Sequence, residues 1–309
     1  MAEELKLNHP WLVAVWPGMG GVAISAGYYL LAKLEMHVIA EYEASELFNV
    51  DHIEVKNGII QTGKLPRNRF FVWTDPAGKR DIVVFLGEAQ PPIGKYQFCR
   101  RLLQYSQELG IERVFTFAAM ATQMHPAHAS RVFAAATDAE SLEEVKRLEL
   151  DILEDGHISG LNGVLLGAAA ENGLRGTCLL GEMPHIFSQL PYPKASLAIL
   201  KVFTTMAGID LDFAELEEQT EVVERQLGEL LSQVEHKFGQ QAADEEGYLA
   251  ETTEEEEAPP TPEQERIEAL FEQAKKDRSK AFELKQELDR QGVFTEYEDR
   301  FLDLFKTSG

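Results

Sequence analysis

The chain has 309 residues, 44% of them hydrophobic, and a formal net charge of −23. That length allows one large α/β domain with an appendage, or two domains. The negative field opposes any approach to a phosphate backbone, which excludes nucleic-acid binding as the main activity.

Trp11–Trp16 (WLVAVW) is an apolar run of strand length that ends in Pro17-Gly18. Gly20 and Gly21 follow, then a helix-length segment with Ile24, Tyr28 and Leu31 in helical period. Strand, glycine turn and helix form the opening unit of an α/β domain. Gly18, Gly20 and Ala23 satisfy G-x-G-x-x-G/A, and Glu41 stands about 20 residues on, the usual offset of a ribose-binding acid. The next segments argue against that reading. Met36–Phe48 opens with strand character, Ile53–Thr62 is a hairpin around Asn57-Gly58, and Phe70–Thr74 and Asp81–Gly87 flank the turn Asp75-Pro76-Ala77-Gly78. These are successive antiparallel strands. A dinucleotide fold would alternate parallel strands and helices here.

Lys95–Leu109 reads as an amphipathic helix ending at Gly110. Ile111–Ala121 is apolar on both faces, as a central strand is. Arg131–Thr137 is a further strand, and Ser141 with Glu144 forms a capping box that opens a short helix. Glu149–Leu153 is a short strand. In the glycine-rich stretch Gly156–Gly176, Asn162-Gly163 leads into an apolar helix whose small residues Gly167–Ala170 allow close packing. Thr177–Gly181 is a strand, and Pro193–Ala207 a helix ending at Gly208. The alternation predicts a three-layer α/β domain with a mixed sheet over residues 1–238.

From Asp212 the character changes. Glu215 to the end holds 27 acids against 11 bases, whereas residues 1–214 hold 25 acids and 18 bases. Asp212 caps a helix running to about Lys237, with Leu216, Thr220, Val223, Leu227, Leu230 and Val234 on heptad a and d positions, the pattern of a coiled coil. Residues 239–262, which include the acidic run Glu254–Glu257, are expected to be a disordered linker. Glu263–Gln291 reads as one helix with Ile267, Leu270, Ala274, Ala281, Leu284 and Leu288 on a stripe. Val293–Phe305 forms a last short helix, so residues 263–309 make a helical hairpin.

The candidate ligand-binding residues are Gly18, Gly20, Gly21, Asn162, Gly163, Glu182 and His185. Glycine-bend amides at a helix start can hold an anion; the competing reading is that the glycines only permit a tight turn and close packing. Asn162-Gly163 has the same two readings. Glu182 and His185 follow a strand and form either an acid/base pair or a loop hydrogen bond. His125 and His128 have metal-ligand spacing, but no third ligand is marked and a polar loop is the simpler reading. No GxSxG, Walker, HExxH, CxxC or kinase signature occurs, so no catalytic residue, cofactor or metal is expected. Cys99 and Cys178 lie far apart and suggest buried thiols in a reducing compartment. MAEELKLNHP has no signal-peptide organisation, and no apolar run approaches the roughly 20 residues of a membrane span. A cytoplasmic location is expected.

The ordered set of motifs resembles the proteasome assembly chaperone family in its bacterial and archaeal branch. It comprises the Pro17–Gly21 bend, Gly87–Pro92 (GEAQPP), the block Ile158–Gly181 and Pro191–Leu216 (PYPKASLAILKVFTTMAGIDLDFAEL), over roughly residues 8–238. The resemblance implies a fold similar to that of purine nucleoside phosphorylases, assembled as a homotrimer or a higher multiple. It also implies a scaffold that acts on proteasome rings. Several archaeal members dock through a C-terminal hydrophobic–tyrosine–any residue tail. This chain ends Phe305-Lys306-Thr307-Ser308-Gly309, so that mode of docking is not expected. Some relatives carry an ATP-grasp or carboxylate–amine ligase label, which the lack of a phosphate loop argues against. The leading expectation is therefore a non-enzymatic oligomeric scaffold or assembly chaperone that meets protein partners through its C-terminal helices. The alternative is an enzyme or sensor with a nucleotide or phosphate pocket at the two glycine-rich loops.

Overall fold

A computed structural model describes residues 6–49, 53, 55–60, 65–249, 262–276, 280–291, 293, 297, 300, 301 and 304. The chain divides into two compact units, Met1–Lys237 and Phe238–Gly309.

The strands of the first unit, in chain order, are β1 (Trp11–Val15), β2 (His37–Glu41), β3 (Val55–Lys56), β4 (Ile59–Ile60), β5 (Asn68–Trp73), β6 (Ile82–Gly87), β7 (Arg113–Thr122), β8 (Val132–Ala136), β9 (Asp151–Ile152) and β10 (Arg175–Pro184). Eight of them form one sheet in the order β2-β5-β6-β1-β7-β10-β8-β9, and β3 and β4 form a separate hairpin. β6, β1, β7 and β10 run parallel in its centre. β5, β2 and β8 join antiparallel to their neighbours, and β9 runs parallel to β8. The unbroken apolar runs of β1 and β6 follow from this placement, since a parallel strand covered on both faces has no solvent side.

The helices are α1 (Val22–Lys33), α2 (Lys95–Glu108), α3 (Ala139–Arg147), α4 (Gly160–Glu171), α5 (Pro193–Ala207), α6 (Ala214–Leu249), α7 (Pro262–Lys276) and α8 (Ala281–Gln291). Side chains alternate along each strand, so β1 feeds two cores. Trp11, Val13 and Val15 pack with Leu30 of α1 and with Ile199 and Phe203 of α5. Leu12, Ala14 and Trp16 pack with Phe98 and Leu102 of α2 and with Leu161 and Leu165 of α4. The first unit is thus an α/β domain whose mostly parallel mixed sheet is flanked by helices.

Three local expectations are corrected. Asp138, not Ser141, caps α3: its carboxylate accepts from the Ser141 amide at 2.8 Å and from the Ser141 hydroxyl at 2.7 Å. Glu144 turns inward to the buried Arg113 instead of back to the cap. The stretch read as one helix from Glu263 to Gln291 is two, α7 and α8, which bury Ile267, Leu270, Phe271, Ala274, Ala281, Leu284 and Leu288 against each other. The apolar stripe is continuous in sequence because both helices face one core. α6 continues to Leu249, beyond the Lys237 at which its heptads fade. Residues 250–261 of the expected linker, and most of the expected helix over 293–305, lie outside the described residues.

The first half of the heptad stripe of α6 has a partner inside the first unit, whereas Leu230 is 42% exposed. Leu216 and Leu227 are buried in its core with Val223 half-buried beside them, and Thr220 is also buried. No described helix is long and apolar enough to cross a membrane.

Candidate functional site

In open α/β sheets, ligands sit at the carboxyl ends of neighbouring strands whose connections leave to opposite faces. β1 and β6 are such a pair: β1 leads into α1 on one face, and β6 leads into α2 on the other. The crevice between them is bounded by the Pro17–Gly21 bend, by Gly87–Gln90, and by the start of α4.

The bend begins where the register of β1 against β6 ends. Gly18 is extended (φ −166°), while Gly20 and Gly21 have φ of +62° and +61°. A side chain at Gly20 would be strained by that φ, and its Cβ would lie 2.8 Å from the Met183 sulfur and terminal methyl. The Gly20 amide donates to the Ser188 carbonyl at 2.9 Å, and the Tyr192 amide donates to the Gly20 carbonyl at 2.9 Å. Gly21 donates back to Gly18 at 3.0 Å. The bend is therefore stitched to the loop after β10. The cleft that remains beside it is lined by Gly18, Met19, Gly20, Gly21, Ser188, Gln189, Leu190 and Pro191. Among the described residues no charged side chain lines it, so they offer an anion there no counter-charge.

The second glycine-rich stretch is likewise engaged. The Leu161 amide, in the first turn of α4, donates to Gln90 Oε1 at 3.1 Å, and Gln90 Nε2 donates to the Pro17 carbonyl at 3.4 Å. One glutamine thus spans the crevice from the first bend to the second. Gly163 cannot carry a side chain at all: its Cβ would lie 1.9 Å from the Ile158 carbonyl oxygen. The Asn162 carbonyl accepts from Thr116 Oγ1 at 3.3 Å, and Asn162 Oδ1 is buried without a partner. Trp16 Nε1 and Asn68 Oδ1, also buried without partners, both face the α-carbon of Gly87.

Glu182 and His185 do not form an acid/base pair. Glu182 is 3% exposed and accepts from Arg131 Nε and Nη2 at 2.8 Å each, and from Thr122 Oγ1 at 2.7 Å. The bidentate Arg131 guanidinium holds its carboxyl below the ordinary value. His185 Nδ1 lies 3.3 Å from the Thr122 carbonyl oxygen instead. Thr122 therefore links the two residues with its side chain on one and its backbone on the other. Arg131 also reaches Asp151 at 3.3 Å. A second cleft opens here, lined by Thr122, Gln123, Met124, His128, Ala129, Arg131 and Glu182. His125 Nδ1 accepts from the Ala127 amide at 3.2 Å, and the His125 and His128 rings are 5.7 Å apart. Glu41, at the offset of a ribose-binding acid, is paired with Arg67 on the far side of β6 and β5 from the bend.

Gln90 ties the Pro17–Gly21 bend to the start of α4, but the two glycine sets line separate clefts: Gly18, Gly20 and Gly21 face Ser188 and Leu190, and Gly163 lies with Ala135, Thr137 and Ile158. Glu182 and His185 stand at the neighbouring strand end. Gln90 and Arg131 were not singled out by sequence. The signal for Gln90 was a glutamine three residues after the buried strand β6; Arg131 had none beyond its place immediately before β8.

A model of the PAC2 family matches residues 12–231. The chain is 28% identical over 227 residues to an uncharacterised protein of Methanocaldococcus jannaschii, covering 71% of this chain and 82% of that one. Among solved structures it is similar to PbaB of Pyrococcus furiosus, an archaeal proteasome activator, with 26% identity, a TM-score of 0.63, and coverage of 74% of this chain and 96% of that one. It is also similar in fold to a PAC2 family protein of Streptomyces avermitilis, at 23% identity and a TM-score of 0.63, covering 72% and 95% of the two chains.

Proposed function

The chain belongs to the PAC2 family, and from that premise we propose that it is an oligomeric protein-binding scaffold that assists assembly, with proteasome subunits as its clients. Its first unit self-associates as a homotrimer or a higher multiple. The scaffold holds its clients by surface complementarity and carries out no chemistry on them.

The observation that carries this reading is the hairpin β3–β4. It lies outside the main sheet, and Val55, Ile59 and Ile60 are each at least 60% exposed. Val55 faces Ile60 across the hairpin, and Ile53 precedes them with half its surface exposed. A two-stranded hairpin is marginal alone, and a cluster of large apolar side chains in water marks an interaction surface. We assign the partner surface to this hairpin in preference to the stripes of α6 and of α7 and α8, because Leu216, Thr220 and Leu227 of the first and Ile267, Leu270, Ala274, Ala281, Leu284 and Leu288 of the second are buried within their own units. Similarity to PbaB over nearly its whole length supports the choice of client. An ATP-grasp ligase activity is not part of the proposal.

The engaged amides of Gly20, Gly21 and Leu161 weigh against a nucleotide or phosphate pocket at the glycine-rich loops. A thermal-shift screen of nucleotides, nucleosides and phosphate tests this. A ligand present at 100 times its Kd would stabilise the fold by about 2.7 kcal/mol, and no such shift is expected. A saturable shift abolished by Gly20→Ala would favour the pocket.

A further inference from the structure

α2 stands out in an acidic molecule. It carries Lys95, Arg100 and Arg101 and, among its 14 residues, one acid, Glu108, at its last position. Gln97, Arg100, Gln104 and Gln107 follow one another at spacings of three and four, which places them on a single stripe of the helix. All four are exposed, and with Tyr96, Arg101 and Asn172 they line a trough along the outer face of α2 beside the end of α4. Tyr96 is 46% exposed, and its hydroxyl is anchored on Glu171 of α4. Arg101 is paired with Glu46. Arg67, Arg69, Arg113, Arg131 and Arg175 also have carboxylate partners. Arg100 has none among the described residues.

We propose that this face of α2 is a docking site for an acidic segment of a protein partner, seated with a carboxylate on Arg100. The charge complementarity is local. The guanidinium offers a planar fork that fits one carboxylate in bidentate fashion. The glutamines on either side of it offer amides that both donate and accept, suited to the polar edge of a helix or an extended strand. From Gln97 to Gln107 the stripe is about 15 Å long at 1.5 Å per residue, room for a ten-residue helix. A nucleic acid is the poorer match, because its affinity comes from several cations neutralising successive phosphates. Here one unpaired arginine sits in a row of amides. The proposal rests on the scaffold reading only in taking the partner to be a protein.

The test is a fluorescence-anisotropy titration of the full chain with a labelled ten-residue Ala/Glu peptide, its Gln-for-Glu counterpart, and a single-stranded DNA decamer. Arg100→Glu is compared with Arg147→Glu, a substitution on the exposed side of α3. Saturable binding of the Glu peptide is expected, weakened at least tenfold by Arg100→Glu, unchanged by Arg147→Glu, and weakened by raising the salt. The Gln peptide and the DNA are expected to bind at least tenfold more weakly. Absence of saturable Glu-peptide binding, equal effects of the two substitutions, or DNA binding as tight as the peptide's would overturn the site. The titration contains no proteasome subunit, so its failure leaves the client assignment standing, and loss of the client assignment leaves α2 to be judged by the titration.

Discussion

The amide of Gly20 donates to the carbonyl of Ser188 at 2.9 Å, and that bond decides what the glycine bend can hold. A phosphate cradle needs backbone N–H groups directed at the ligand. Here the central amide of the bend is directed at the loop after β10, and the same residue's carbonyl takes the Tyr192 amide. The bend joins two loops of the scaffold.

Gly20→Ala combines a left-handed φ with a Cβ 2.8 Å from Met183. The substitution is expected to cost about 1–3 kcal/mol, read from urea unfolding. Gly18→Ala meets nothing within 4 Å and has an extended backbone, so it should stay within about 0.5 kcal/mol of the parent. Equal effects of the two would mean that the stitch to Ser188 and Met183 does not hold the bend.

Two glycines four residues apart on α4 should behave in opposite ways. At Gly163 a Cβ would fall 1.9 Å from the Ile158 carbonyl oxygen, a clash only the backbone can relieve. Gly163→Ala is expected to cost about 3 kcal/mol or more. At Gly167 a Cβ meets nothing within 4 Å. Gly167→Ala should stabilise by up to about 1 kcal/mol through helix propensity. The measurement is the pair of denaturation midpoints, and a neutral Gly163→Ala would contradict the close approach of α4 to Ile158.

Glu182 supplies a pH signature. Arg131 holds its carboxyl below the ordinary 4.5, so the stabilisation from the pair is complete above pH 4.5 and is lost as the pH falls through the lower folded-state value. Glu182→Gln removes that charge and should cost about 1–3 kcal/mol at neutral pH. The gap between parent and variant should narrow as the pH is lowered from 6 to 3. Parallel stability curves would show that Arg131 does not stabilise the ionised form.

The exposed hairpin can be altered without harming the fold. Val55→Lys with Ile60→Asp changes two side chains that are 60% and 67% exposed. Surface changes of this kind usually shift stability by no more than about 0.5 kcal/mol. The melting temperature should therefore hold while co-migration with proteasome subunits on size exclusion falls at least tenfold. Undiminished co-migration would remove the hairpin from the partner surface.

Much of the fold was legible because its signals are local. Pro193–Ala207 coincides with α5, Asn57-Gly58 turns the β3–β4 hairpin, and the unbroken apolar runs marked the central strands. The α3 cap was misread because Asp138 and Ser141 both suit a helix start. What separated them was Arg113, distant in sequence, which draws Glu144 away from the cap. The division between α7 and α8 was hidden because two helices facing one core keep the stripe in phase. The candidate site was legible only as a set of glycines. Nothing local shows that Gly20 is tied to Ser188 and Tyr192, or that Gln90 spans from Pro17 to Leu161, because these bonds join segments roughly 70 to 170 residues apart.

The proposed scaffold works by presenting surfaces to protein clients. Native mass spectrometry of the full chain, alone and mixed with proteasome subunits from the same organism, tests this. A homo-oligomer alone, and a stoichiometric complex with those subunits in the mixture, is the expected result. A monomer that forms no complex with them would contradict it.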